Sequence, residues 1–228
     1  MWAIIKKEFK TYFTTPIGYI FISMFLLAFS VSFYFIVINF GTVNFEAIYF
    51  SLPTILVLAF ILPLLTMRTF AEERKSGTDQ LLLTSPVSIT KIVLGKFVAA
   101  ALIVIITEIL TLMYFGILTY FGMPHISTAL TTMLGFLLFT MLYVAFGLFA
   151  SSITENQIVA GIITIGFFII TWILPEFSRE LAGFSFINMF HRFSQGQIDI
   201  ANTVTFVTFT IAFVLLTIIA LQRRKSVK

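Results

Sequence analysis

The chain has 228 residues, of which 59% are hydrophobic and 11% are charged, and its formal net charge is +4. A composition this apolar leaves little material for a soluble domain. The chain has no cysteine, which excludes disulfides, thiolate nucleophiles and cysteine metal sites.

Residues 1–15 are predicted to form an amphipathic helix that lies in the membrane interface. Apolar side chains recur at three- and four-residue spacing and form one stripe: Trp2, Ile5, Phe9, Tyr12 and Phe13. The basic side chains Lys6, Lys7 and Lys10 occupy another face, where they and Trp2 are predicted to anchor the helix at lipid headgroups. A continuous extension of the first transmembrane helix has the same periodicity and stays open as an alternative.

Six long apolar runs follow, and each is about as long as the roughly 20 residues that a helix needs to cross a bilayer. They cover roughly 17–39, 50–67, 97–121, 128–150, 157–175 and 203–221. Most Lys and Arg residues lie at the N-terminus, between the second and third runs, and in the tail. Because short basic loops stay in the cytoplasm, both termini are predicted to be cytoplasmic.

The sequence therefore predicts an all-α membrane protein in which residues 16–228 form a six-span domain. Its positive charge lies on one face of the membrane, so it indicates orientation and contact with anionic lipid rather than binding to nucleic acid. The long fifth connection, 176–202, is rich in aromatic residues, and it is predicted to be a partly re-entrant outer segment. An amphipathic segment on the outer surface would fit the same pattern.

The connection 68–96 between the second and third runs is the largest cytoplasmic feature. Its first part favours a helix with dense mixed charge, and Ser85-Pro86 is typical of a helix start. The segment thus reads as a stiff helix–break–helix lever, with a solvated hairpin as the alternative.

This segment also carries a family resemblance. The residues 72–78, with the sequence EERKSGT, followed by Leu81-Leu82, 85–88 and Gly95-Lys96, resemble the signature of ABC-2-type transporter permeases. The stretch 190–199 is similar to the region before the sixth span of gliding-motility and nitrous-oxide-reductase maturation permeases, although Gln195 stands where a basic residue is expected.

The resemblance implies a permease subunit of an exporter in the bacterial or archaeal cytoplasmic membrane. It also implies two copies of a separate ATPase, a second permease copy that is identical or related, and possible extracytoplasmic accessory proteins. The residues that it assigns to coupling with the ATPase are Glu72, Glu73, Arg74, Gly77, Thr78, Leu81 and Leu82.

No ATP-binding loop is expected in this chain. Gly95-Lys96-Phe97 lacks both the leading glycine loop and the following hydroxyl of a P-loop. We therefore expect ATP and Mg²⁺ to be bound by the partner ATPase. No metal site is predicted either, because His125 and His191 look like isolated surface residues on the outer side.

Glu108 lies near the middle of the third run, where a charge costs a few kcal/mol. It is a candidate for the transport pathway, through substrate contact, a proton-linked step or subunit pairing. The alternative is a protonated side chain that is hydrogen-bonded to a neighbouring helix, Thr107 or Thr111. Two other functions stay open: a scaffold that binds an ATPase without passing substrate, and an ion-coupled carrier that uses Glu108.

Overall fold

The structure is a computed structural model that describes residues 1–78, 87–177 and 185–227, and every regular element in these ranges is a helix. The prediction of an all-α membrane protein is confirmed. The ten α-helices are α1 (Trp2–Thr14), α2 (Ile17–Phe33), α3 (Phe45–Phe50), α4 (Leu52–Thr66), α5 (Arg68–Lys75), α6 (Ile89–Leu118), α7 (Ile126–Ile153), α8 (Gln157–Phe177), α9 (Phe186–Ser194) and α10 (Ile200–Val227), within the ranges just given.

Five segments in the described ranges are long and apolar enough to cross a membrane. They are Ile17–Asn39, Leu52–Lys75, Ile89–Leu118, Ile126–Ile153 and Ile200–Arg224. A shorter apolar helix covers Gln157–Ile173, within α8. The six predicted apolar runs therefore all lie in helices, and the number of crossings stays a prediction.

The first two helices are separate, with a break at Thr15 and Pro16. Proline fixes its own backbone and disfavours helical geometry in the residue before it, which accounts for the extended conformation of Thr15. The far end of α2 changes to a π-helix over Tyr34–Asn39. The apolar stripe of α1 packs against the protein itself, because Ile5 and Tyr12 are buried.

Helix α7 is the centre of the bundle, and it packs against α4, α5, α6, α8, α9 and α10. Two of these contacts depend on glycine. A side chain at Gly147 would run into Thr66 of α4, and one at Gly135 would run into Phe193 of α9. Small residues let membrane helices approach closely, where dispersion contacts replace the hydrophobic drive that lipid does not supply.

Hydroxyl groups join the helices inside the bundle. Ser30 of α2 hydrogen-bonds Tyr114 of α6 at 2.5 Å. The Tyr143 hydroxyl of α7 lies 2.6 Å from Thr171 of α8. Such pairs satisfy polar groups that neither lipid nor apolar side chains can satisfy, so they fix the register of neighbouring helices.

The structure adds two details to the sequence-based boundaries. Helix α6 begins at Ile89, before the apolar run that starts at residue 97, so the end of the connection 68–96 belongs to the same helix as the third run. The first outer connection contains an unpredicted helix, α3, whose Phe45, Ile48 and Tyr49 are buried. Its N-terminus is capped by Asn44, whose side chain accepts a hydrogen bond from the Ala47 amide at 3.0 Å.

Substitution of Gly147 by alanine is predicted to destabilise the bundle by about 1 to 3 kcal/mol, because the new methyl group would overpack the contact with Thr66. The matched control is Gly166→Ala in α8, where a methyl group meets nothing within 4 Å. Thermal unfolding of the purified variants in detergent measures the difference. Equal midpoints for the two variants would contradict this account of the α4–α7 contact.

Candidate functional site

Helix α5 is a short polar helix that follows α4 directly, and its start is capped by another helix. The Ser151 hydroxyl of α7 accepts hydrogen bonds from the amides of Phe70 and Ala71, both at 3.0 Å. It also donates to the carbonyl of Met67 at 3.0 Å. A single buried serine therefore satisfies amides that the first turn of α5 leaves without partners.

The other end of α5 is joined to the connection between α7 and α8. The Arg74 guanidinium lies 2.6 Å from the Glu155 carboxylate and donates to the carbonyl of Ile153 at 3.3 Å. The Glu155 side chain is 64% exposed, so solvent screens this pair and it contributes little stability. The pair mainly fixes the orientation of α5, because it holds the end of this helix against the α7–α8 connection.

A buried lysine lies beneath α5. Lys96, in α6, is 2% exposed, and its ammonium group lies 2.7 Å from the Glu73 carboxylate and 3.2 Å from the Glu8 carboxylate. The third hydrogen bond goes to the carbonyl of Thr69 at 2.9 Å. The ammonium also lies 5.1 Å from the centre of the Phe70 ring. All three N–H groups of Lys96 are thus satisfied, as a buried charge requires.

Helix α1 comes close enough to reach Lys96 because the residue before this lysine in α6 is a glycine, Gly95. A side chain at Gly95 would approach the Ile4 side chain to 2.8 Å, so α1 lies directly on the backbone of α6 there. Farther along α1, the Tyr12 hydroxyl donates to the carbonyl of Leu65 at 3.2 Å. Burial raises the pKa of the Tyr12 phenol, so the group stays protonated and keeps donating.

We refer to Lys96, Glu8, Glu73 and the Thr69 carbonyl as the Lys96 network. A cavity of about 310 Å³ lies beside it, between α1 and α5. Its lining carries three cations and three carboxylates, namely Lys7, Arg68, Lys96, Glu8, Glu72 and Glu73. The formal charges of this lining cancel.

The structure divides the predicted coupling residues into two groups. Glu73 and Arg74 are engaged inside the chain, through Lys96 and Glu155 respectively. Glu72, Gly77 and Thr78 are exposed. Gly77 has a φ of +72°, which a residue with a side chain rarely adopts, so glycine is needed to end α5 in this way.

Leu81, Leu82 and the predicted helix start at Ser85-Pro86 lie outside the described residues. The predicted interfacial anchors Trp2, Lys6, Lys7 and Lys10 are all exposed. Their contact with lipid stays a prediction.

Glu108 is buried in the middle of the bundle and is 2% exposed. Its Oε1 atom has no hydrogen-bond partner among the residues that the structure describes. The two neighbouring threonines bond elsewhere: Thr107 donates to the carbonyl of Ile103, and Thr111 to the backbone carbonyl of Glu108 itself. The expected hydrogen bond from these threonines to the carboxyl group is therefore absent in this part of the chain. The Glu108 side chain is buried within its own bundle, and its role in substrate contact, proton transfer or subunit pairing stays a prediction.

The end of the bundle opposite α5 holds a second cavity, of about 560 Å³. His125, His191 and Glu46 all line it, together with Asn44 and Gln195. Both histidines are exposed, and they line the same cavity because α3, α9 and the start of α7 converge at this end. Within the described ranges, no group of three His, Cys, Asp or Glu side chains is arranged to hold a metal ion.

These features define a class: a multi-pass, all-helical membrane protein with a charged helix mounted at one end of its bundle. The family described as ABC-2 family transporter protein matches residues 39–221, which is most of the chain. The chain therefore belongs to the ABC-2 transporter family, as a permease subunit. No curated protein matches it significantly. The similarity to gliding-motility permeases stays a prediction.

Sequence reasoning did not identify the residues that hold α5 and α1 in place, namely Lys96, Glu8, Ser151 and Glu155. The position of Lys96 could have indicated a buried ion pair, since a lysine several residues inside an apolar helix requires a partner. Its partner Glu8 is 88 residues away, and no local pattern identifies it. Ser151 lies near the end of α7 and Glu155 in the connection that follows, and no basic residue or periodicity marks either of them.

Substitution of Ser151 by alanine is predicted to loosen the start of α5, because the amides of Phe70 and Ala71 lose their acceptor. An unsatisfied buried amide costs about 1 to 3 kcal/mol. Hydrogen exchange at these two amides is expected to accelerate. The matched control is Ser152→Ala, since that hydroxyl bonds only to the carbonyl of Phe149 in its own helix. Unchanged exchange in the Ser151 variant would remove the capping role.

Substitution of Lys96 by methionine is predicted to destabilise the protein by about 3 kcal/mol, since removing one member of a buried ion pair leaves the other charges uncompensated. The control is Lys91→Met, an exposed lysine in the same helix, for which we expect a change within about 0.5 kcal/mol. Unfolding by SDS in mixed micelles measures both. Equal stability of the two variants would show that the Lys96 network contributes nothing.

Proposed function

We propose that this chain is the membrane-spanning half of an ATP-driven exporter, and that α5 is where a separate ATPase subunit docks. The observation that carries the proposal is that α5 is attached to the bundle by side chains of several other elements. Helix α5 is held by three side chains of other elements, namely Ser151, Lys96 and Glu155. Its own residues Glu72, Gly77 and Thr78 remain exposed. A force applied at the exposed side is therefore transmitted to α6 and α7 rather than lost in a flexible loop.

The proposed topology has six spans and cytoplasmic termini. Helix α5 and the tail of α10 carry much of the basic charge, as do the lysines of α1. Basic segments next to spans stay in the cytoplasm, so this end faces the ATPase and the anionic lipid of the inner leaflet. The His125 end then faces outward, where an accessory protein has access to it.

The proposed assembly contains two permease copies, identical or related, and two ATPase subunits in a bacterial or archaeal cytoplasmic membrane. The ATPase subunits bind ATP and Mg²⁺, and their closure displaces α5. Hydrolysis resets it. Glu108 lies inside the bundle that this displacement rearranges, so it is the candidate residue for the substrate pathway.

The docking surface is narrower than the sequence motif indicates. Glu73 is committed to Lys96 and Arg74 to Glu155, so these two residues shape α5 rather than meet the partner. Glu72 is the acidic residue of the motif that stays exposed. Charges at the rim of an interface set specificity and association rate more than affinity, so we assign Glu72 a steering contact with a basic group of the ATPase.

The experiment is gentle purification of the tagged chain from its native membrane, followed by identification and quantification of the co-purifying ATPase. Glu72→Lys is predicted to lower ATPase recovery about tenfold, the equivalent of about 1.4 kcal/mol. The loss should shrink at high salt, since ions screen exposed charges. Glu46→Lys is the matched control, because it makes the same charge change at the opposite end of the bundle.

Three outcomes are distinguishable. Loss with Glu72→Lys alone supports docking at α5. Equal recovery with both variants contradicts docking through Glu72. Absence of any ATPase from the unmodified, intact oligomer contradicts the exporter and favours an ion-coupled carrier. In that case, the buried Glu108 becomes the first residue to test.

A further inference from the structure

We propose that Lys96 is a positioning residue that makes α1 move together with α5, so that displacement of α5 by the ATPase also displaces the interfacial helix. The inference rests on the proposed docking role of α5. It adds a second moving part to the permease, at the level of the lipid headgroups, and it assigns Glu8 and Lys96 a role in coupling.

The two helices have different main supports. Helix α1 packs mainly against α6 and also against α2, whereas α5 packs mainly against α7 and also against α4 and α8. Backbone packing alone would let α5 shift with α7 while α1 stayed on α6. A link between α1 and α5 must therefore come from side chains.

Lys96 supplies that link from a position between the two helices. Its ammonium group bonds to Glu8 on α1, at 3.2 Å, and to Glu73 on α5, at 2.7 Å. A third bond, to the Thr69 carbonyl, attaches it to the backbone of α5. Helix α5 thus holds the ammonium at two points and α1 holds it at one.

The burial of Lys96 makes this link stiff. Its side chain is 2% exposed, and those of Glu8 and Glu73 are 14% and 21% exposed. If α5 moved and α1 stayed, one carboxylate would separate from the ammonium in a region that little water reaches. Breaking a buried pair costs far more than parting an exposed one. Moving α1 with α5 avoids that cost.

A second contact acts in the same direction. The buried Tyr12 hydroxyl donates to the Leu65 carbonyl near the end of α4, which leads directly into α5. Helix α1 is thereby attached to the junction of α4 and α5 at two points: Glu8 through Lys96 to α5, and Tyr12 to the end of α4. The two points lie about one turn apart along α1. Two attachment points transmit rotation as well as translation. Because α1 exposes Trp2, such motion would disturb the surrounding headgroups.

The test uses the absence of cysteine from the chain. A single exposed cysteine at Ala3→Cys, in α1, takes an environment-sensitive fluorophore or a nitroxide without touching the network. The labelled permease is reconstituted with its co-purified ATPase in lipid nanodiscs. The label is read without nucleotide and with a non-hydrolysable ATP analogue, and ATPase binding and ATP hydrolysis are measured on the same sample.

The variant is Glu8→Gln, which removes the negative charge of Glu8 and so weakens the attachment on α1, while Lys96 stays paired with Glu73. We expect ATPase binding to be unchanged and the ratio of moved to unmoved α1 in the presence of nucleotide to fall about tenfold. The control is Glu46→Gln, the same chemical change at the opposite end of the bundle, which should leave the response intact.

A nucleotide response of α1 in Glu8→Gln equal to that of the unmodified chain would overturn the inference. So would a complex that binds and hydrolyses ATP while α1 does not respond at all. If the unmodified chain binds no ATPase, the proposed function fails, and this inference fails with it. A merely structural role for Glu8 predicts lower ATPase binding together with the lost α1 response, so it is distinguishable from positioning.

Discussion

The pairing of the buried Lys96 ammonium is the constraint on which the arrangement of the polar end depends. An ammonium taken out of water costs several kcal/mol unless its hydrogen bonds and its charge are both compensated. The chain meets that requirement with groups from two other helices, Glu8 of α1 and Glu73 of α5. It follows that α1, α5 and the start of α6 cannot be placed independently. Gly95 is part of the same solution, since it lets α1 approach closely enough for Glu8 to reach the lysine.

The same constraint explains why the charges of α5 are not equivalent. A run of four charged residues, 72–75, reads in the sequence as one solvated surface. In the fold, Glu73 turns inward to the buried lysine and Arg74 turns sideways to Glu155, whereas Glu72, beside the cavity, and Lys75 are exposed. Adjacent residues thus have different roles: Glu73 and Arg74 attach α5 to the bundle, and Glu72 and Lys75 remain accessible on its surface. This is what a helix needs if it is to receive a force on one face and deliver it through the other.

The sequence predicted what depends on local pattern. Runs of about 20 apolar residues predicted the helices, and the motif around Glu72 predicted the family. The short helix α3 was missed because distant elements set its burial: Phe45 and Tyr49 pack in an aromatic pocket with Phe29 of α2. The pairing of Lys96 with Glu8 was missed for the same reason, since hydropathy describes the cost of a buried charge and not its partner. His125 and His191 converge only after three separate elements have packed.

Helix α6 buries one lysine and one glutamate, and the two side chains differ in how their polar atoms are satisfied. Lys96 has a complete set of partners and fixes helices in place. Glu108 lies twelve residues farther on, about 18 Å along the helix, and its Oε1 has no partner within the described residues. A charged joint with full compensation resists rearrangement, whereas an uncompensated polar group in hydrocarbon favours any rearrangement that supplies a partner. A helix that carries both is fixed at its Lys96 end, and near Glu108 it would be stabilised by any group that supplies a hydrogen-bond partner.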